Sequence, residues 1–105
     1  TPITAQTVAG RWVAADGVRR TREAHVELSP GGEWSGSDGC NGEGGRWVVG
    51  AGGTLLATSR PSTDMGCENH PAGSWLYEAR RAAIDGEQLV FFDGAAKELG
   101  RLQRG

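Results

Sequence analysis

Short stretches in which apolar and polar residues alternate recur along this chain, and they predict β-strands. The clearest, residues 24–29, alternates over six positions and is followed by Pro30-Gly31-Gly32, so residues 33–37 are expected to return beside it as a hairpin. The first nine residues show no periodicity, which predicts an irregular leader. The other predicted strands are residues 10–14, 46–49, 54–58, 88–92 and 97–102, separated by glycine-rich or Asp-Gly turn signals.

One segment has helical spacing instead. Trp75, Ala79 and Ala82 recur at i, i+4 and i+7, and Asn69-His70-Pro71 offers an N-cap with proline in the first turn. We therefore predict one α-helix over about residues 71–83. Seven or eight short strands in an open sheet would leave edges exposed, so the expected fold is mainly β, a small antiparallel barrel with the helix packed on it.

Composition limits the classes of protein and partner. A chain of 105 residues with 37% hydrophobic content fits a single domain spanning residues 1–105. A net charge of −2, with ten arginines and Lys97 as the one lysine, gives no basic stripe and argues against a nucleic-acid partner. No run of 18 apolar residues is present, so we expect any signal peptide or lipid anchor to be absent from this chain.

The chain contains two cysteines, Cys40 and Cys67. Cys40 follows Ser35-Gly36-Ser37-Asp38-Gly39, and glycines continue to Gly45, a composition that predicts a tight loop between two strands. There is no CxxC spacing for zinc, and His25 and His70 do not fall at ligand spacing. A disulfide is the more economical interpretation, and two reduced, buried thiols are the alternative.

Two kinds of chemistry are alternatives to a purely structural role for the cysteines and the acidic residues around them. A thiol enzyme would use Cys40 or Cys67 as nucleophile and His70 or His25 as base, but the sequence indicates neither a lowered thiol pKa nor a base within reach. Four carboxylates bracket the cysteines without the spacing of a calcium loop, so we expect no metal and no cofactor. They are Asp38, Glu43, Asp64 and Glu68.

Four tryptophans, Trp12, Trp34, Trp47 and Trp75, fall one to each of three strands and the helix. Large rings contribute much burial per residue, so we expect them to form the core of a barrel too small to be hollow. The alternative is that they line a cavity for a small apolar molecule, for which the barrel would be a carrier or sensor.

The cysteine motifs together resemble those of the META domain family, the HslJ-like proteins of bacterial envelopes. The motif residues are Gly39, Cys40 and Asn41, then Thr63, Met65 and Cys67, after a Gly-x-Trp opening at Gly10-Arg11-Trp12. This resemblance implies a lipocalin-like, calycin-type β-barrel with a packed helix, found in envelope lipoproteins or secreted proteins. The family is associated with stress tolerance and virulence and supplies no catalytic residues to carry over.

From these observations we expect a monomeric, non-catalytic, extracytoplasmic domain. Its expected partner is a protein or a component of the cell envelope, and it would reach a membrane only through a lipid anchor. A small-molecule carrier is the alternative function, and a thiol-dependent enzyme is the third.

The disulfide hypothesis predicts no free thiols. Because a bridge between Cys40 and Cys67 closes a loop with 26 residues between its ends, reduction should cost roughly 3.5 kcal/mol of unfolding free energy in the chain-entropy model. Thiol counting under denaturing conditions, before and after reduction, measures the pairing. Two reactive thiols in the unreduced protein would contradict it and would restore the thiol-enzyme hypothesis.

Overall fold

The computed structural model describes residues 2–15, 24–37, 42–59 and 72–105 of the chain. Within them lie two short α-helices, α1 (Ala5–Val8) and α2 (Ala72–Glu78). The eight strands are β1 (Gly10–Ala14), β2 (His25–Leu28), β3 (Glu33–Ser37), β4 (Gly42–Val49), β5 (Leu55–Ala57), β6 (Arg81–Asp85), β7 (Gln88–Phe92) and β8 (Glu98–Arg104). In these described segments, neither helix has the length and apolar content needed to cross a membrane.

The strands form a single antiparallel sheet in the order β5-β4-β3-β2-β1-β8-β7-β6. The sheet curls until its two outer strands meet, where Thr54 bridges Arg81 and the Leu55 N–H donates to the Arg80 carbonyl at 3.0 Å. Past Leu55, no further bridge between β5 and β6 occurs among the described residues. The predicted mainly β fold, a small antiparallel barrel, is confirmed in a nearly closed form.

Apolar side chains from every strand fill the interior of this barrel. Alternation places one face of each strand inward, and the inward positions carry the largest buried side chains of the described residues. Burying such a side chain contributes about 1.5–3 kcal/mol. The buried core consists of Ile3, Val8, Trp12, Val26, Leu28, Trp34, Trp47, Leu55, Leu76, Ala79, Ala82, Leu89, Phe91 and Leu102.

The predicted helix over residues 71–83 was wrong in its second half. The helix ends at Glu78, and Arg81–Asp85 is β6, which pairs along its length with β7 through a turn containing Gly86 at φ +62°. Small residues such as Ala79 and Ala82 satisfy helical spacing and burial in a strand equally well, so the pattern was ambiguous. Sheet pairing with β7 decides the outcome.

The first nine residues were expected to be irregular, but they contain α1. Thr4 caps this helix by accepting from the Thr7 N–H at 3.1 Å, and the Trp12 indole donates to the Val8 carbonyl at its other end at 2.8 Å. Arg104 from β8 donates to the Thr7 carbonyl and stacks 3.9 Å from the centroid of the Trp12 ring. These contacts tie a helix too short to be stable alone onto the barrel.

The tight loop predicted around the glycine-rich stretch was wrong for residues 42–45, which belong to β4. Ser37 and Gly42 pair at the end of the β3–β4 ladder, so the sheet continues into the glycines. A Cβ on Gly45 would overlap the Thr58 carbonyl oxygen and lie 2.8 Å from the Trp34 ring nitrogen. Glycine at this position therefore permits a close approach of backbone and ring.

We expect Gly45→Ala to lower the free energy of unfolding by about 2 kcal/mol or more, because the added methyl group displaces Thr58 or Trp34. Gly42→Ala is the matched control on the same strand. No atom of the described residues lies within 4 Å of its Cβ position, so its effect should stay within about 0.5 kcal/mol. Chemical denaturation measures both variants, and equal stabilities would contradict the close approach at Gly45.

Candidate functional site

The motif residues named from the sequence lie outside the described residues. They are Gly39, Cys40, Asn41, Thr63, Met65 and Cys67, within residues 38–41 and 60–71. The Cys40–Cys67 disulfide and the thiol chemistry with His70 therefore stay predictions. The other candidate base, His25, is half-buried on β2, where it pairs with Ser37 of β3.

Three of the four tryptophans lie in the barrel core. Trp12, Trp34 and Trp47 are 1%, 2% and 7% exposed, and each ring N–H donates to a backbone carbonyl at 2.8–3.0 Å. The acceptors are Val8 for Trp12, Thr58 for Trp34, and both Ser29 and Glu33 for Trp47. Trp75 is half-buried on α2 and covers Gly100, where a Cβ would overlap its ring. The rings are thus packed and their buried polar atoms are satisfied.

Of the carboxylates considered as metal ligands, Glu43 alone lies in the described residues. Its carboxylate contacts Gly73 in the first turn of α2, where the helix dipole favours a negative charge and where a Cβ would overlap it. Across residues 2–15, 24–37, 42–59 and 72–105, no group of three His, Cys, Asp or Glu residues could hold a metal ion. Glu43 therefore connects β4 to α2.

The described surface carries a groove beside β5, which we call the β5 groove. It has a volume of about 740 Å³, within the range of ligand sites, and it is open to solvent along one side. β4 and β5 form one wall, and the C-terminal end of α2 forms the other. The lining residues are Gly32, Arg46, Trp47, Val48, Leu56, Ala57, Thr58, Tyr77 and Arg80.

Exposed apolar side chains concentrate in the β5 groove. Val48, Leu56 and Tyr77 are 59%, 49% and 52% exposed, and they are the exposed large hydrophobic residues of the described segments. Val48 and Leu56 lie directly opposite each other in the β4–β5 ladder. Single exposed apolar residues are ordinary on a protein surface, but three on one concave surface are typical of an interaction site.

Two arginines flank these apolar side chains. Arg46 is exposed and forms a long ion pair of 3.7 Å with Glu33 across the β3–β4 ladder. Arg80 donates from Nη1 to the carbonyls of Tyr77, Glu78 and Ala79 at 3.1–3.4 Å, which closes the end of α2. The described residues lining the groove include two arginines and no carboxylate, and Glu33 beside Arg46 offsets only one of the two charges, so the groove favours an anionic group.

Sequence reasoning missed this groove, although the chain carried one signal of it. A strand with one face in water should alternate, yet Trp47-Val48-Val49 and Leu55-Leu56-Ala57 are apolar at consecutive positions. In each run either the middle residue or its two neighbours must lie on the outer face, and the structure places Val48 and Leu56 there. Tyr77 and Arg80 could not be added, because their position depends on how α2 packs beside β5.

The fold defines a class: a small, filled, eight-stranded antiparallel barrel with an apolar surface groove between its open strand and a short helix. The META domain family model matches residues 3–105 of this chain. Because that match spans the whole barrel, the chain belongs to the META domain family. Comparisons with curated proteins and with solved structures gave no match.

Leu55 and Leu56 provide a test of which apolar residues stabilise the fold. Leu55 is fully buried, so Leu55→Ala should lower the free energy of unfolding by about 2–5 kcal/mol. Leu56 points into the β5 groove, and Leu56→Ala should change it by less than about 1 kcal/mol. Thermal and chemical denaturation compare the two variants. A large loss in Leu56→Ala would mean that this side chain supports the fold, and the groove would lose its status as a binding surface.

Proposed function

We propose that this chain is a non-catalytic, extracytoplasmic domain that binds a protein or a cell-envelope component in its β5 groove. We propose further that this binding contributes to stress tolerance. The observation that carries the binding role is the convergence of Val48, Leu56 and Tyr77 on one groove. These side chains are exposed at a cost in solubility and add little to the core. An interaction partner gives them a function.

Membership of the META domain family supports the proposed extracytoplasmic location. The resemblance of the cysteine motifs to envelope proteins favours an extracytoplasmic place, where a Cys40–Cys67 disulfide would persist. The stress role follows from the family association alone. Because the family supplies no catalytic residues, a binding role requires fewer assumptions than a reaction does.

A carrier of small apolar molecules is less well supported than a binding domain. Its ligand would need space between the strands, where Trp12, Trp34 and Phe91 lie fully buried and in mutual contact with the rest of the core. A barrel of this size is filled by its own side chains. The surface groove is a more suitable place for a partner.

The proposal predicts a partner whose capture depends on Leu56. Immobilised protein is incubated with envelope extract, and retained partners are identified and then tested as purified components. Leu56→Asp should reduce binding of the genuine partner at least about tenfold, because a carboxylate would replace the apolar contact. Capture that is the same with and without this substitution would remove the groove from the function.

The matched control for that experiment is Gln103→Asp. Gln103 is exposed on β8, outside the groove, so the substitution adds the same charge without changing the groove. It should retain the partner. An unchanged unfolding midpoint in both variants shows that a loss of binding does not come from a loss of fold.

A further inference from the structure

The backbone of β5 has one side free of its neighbour β4. The Thr54 carbonyl accepts from Gly50 and the Thr58 N–H donates to the Arg46 carbonyl, so these two groups, and by alternation the backbone groups of Leu56 between them, point toward β4. The residues that alternate with Thr54, Leu56 and Thr58 direct N–H and C=O to the other side. Leu55 shows this direction, since its N–H donates to Arg80 across the barrel closure.

By the same alternation, the N–H and C=O of Ala57 point toward the β5 groove. The Ala57 side chain packs against the core, and Ala57 is also one of the residues that line the groove. Beyond Leu55 no strand of the described residues pairs with this side of β5, and Tyr77 and Arg80 at the end of α2 form the far side of the groove. At Ala57 the groove therefore offers one backbone donor and one backbone acceptor, arranged as at the edge of a β-sheet and next to apolar side chains.

Side chains along the groove complement an alternating sequence. An extended segment laid beside β5 would present alternate residues to the two faces of the sheet. Outward residues would contact Leu56 and, one strand further, Val48, while Tyr77 covers them from the helix side. Acidic residues at other outward positions would meet Arg46, which shares the outer face of β4 with Val48. They would also meet the Nε and Nη2 atoms of Arg80, whose hydrogen bonds within the described residues all come from Nη1.

We infer that the β5 groove takes an extended segment of a partner protein, with apolar and acidic residues, as an added strand along the free side of β5. This rests on the proposed binding function and specifies its partner. A lipid surface would satisfy the arginines and the apolar side chains, but its acyl chains leave the backbone groups of Ala57 without a hydrogen-bond partner. A peptide strand can pair with the arginines, contact the apolar side chains and hydrogen-bond the backbone of Ala57.

The probe is a capped peptide of eight residues whose outward positions alternate between an apolar residue, Val or Leu, and Glu, with Thr at the positions between them. Two matched peptides test the two recognition elements: one with Lys in place of Glu, and one with N-methyl groups on alternate residues, which blocks strand pairing. Calorimetry should show binding of the first peptide and at least about tenfold weaker binding of the other two. Equal binding of the three peptides would overturn the inference.

Two further readouts locate the added strand. Bound peptide should slow hydrogen exchange of the Ala57 amide, while the Leu56 amide, already in the ladder with β4, should change little. Arg46→Gln should weaken binding of the acidic peptide about three- to tenfold, because rim charges contribute modestly. Arg81→Gln is the control, since Arg81 is exposed on β6 and does not line the groove.

Two results would overturn the added strand and still leave the proposed function standing. The first is Leu56-dependent capture of an envelope partner together with no binding of the acidic peptide. The second is binding of phosphatidylglycerol vesicles, but not of the peptide, with loss in Leu56→Asp. Concentration-dependent dimerisation through the groove would overturn both the added strand and the proposed function, because a second copy of the chain would then occupy the groove.

Discussion

The architecture depends on the backbone of Arg80, where three elements are joined. Its N–H donates to the Phe92 carbonyl at 2.9 Å, and its carbonyl accepts from Leu55 at 3.0 Å, so this residue links β7 to β5 directly after α2. Its side chain closes the helix by donating to the last carbonyls of α2. Backbone hydrogen bonds close the sheet at Leu55 and Arg80, and in the described residues the sheet is open past Leu55. The groove is therefore a direct consequence of how the sheet is closed.

The interior imposes a second constraint, because a barrel of eight short strands has room for few large side chains. Trp12, Trp34 and Trp47 occupy it with their ring N–H groups bound to backbone carbonyls, which avoids a buried unsatisfied donor. Glycines make the space available: Gly45 admits Trp34 and the Thr58 backbone, and Gly100 on β8 admits Trp75 from α2. Much of the glycine content thus serves close packing in the sheet, in addition to turns.

Sequence patterns predicted seven of the eight described strands, missed β6 and predicted the helices poorly, for physical reasons. Strands such as 24–29 and 33–37 alternate and are separated by turn residues, so local chemistry determines them. Helix α1 has no periodicity, and its stability comes from Trp12 and from Arg104, nearly one hundred positions away. The end of α2 depends on pairing between β6 and β7, which helical spacing cannot reveal. The groove combines residues from two strands and a helix, and only its outward Val48 and Leu56 were detectable from sequence.

The arginines of the groove act both against self-association and in favour of a partner. An open strand with apolar neighbours invites pairing with another copy of the same chain, and proteins commonly limit this with charge. Two copies meeting groove to groove would bring Arg46 and Arg80 of each toward those of the other, and Glu33 beside Arg46 would compensate only part of that repulsion. A segment carrying carboxylates meets no such repulsion. The same two charges that disfavour homodimers at this surface therefore select an acidic strand, which makes the groove specific without a deep pocket.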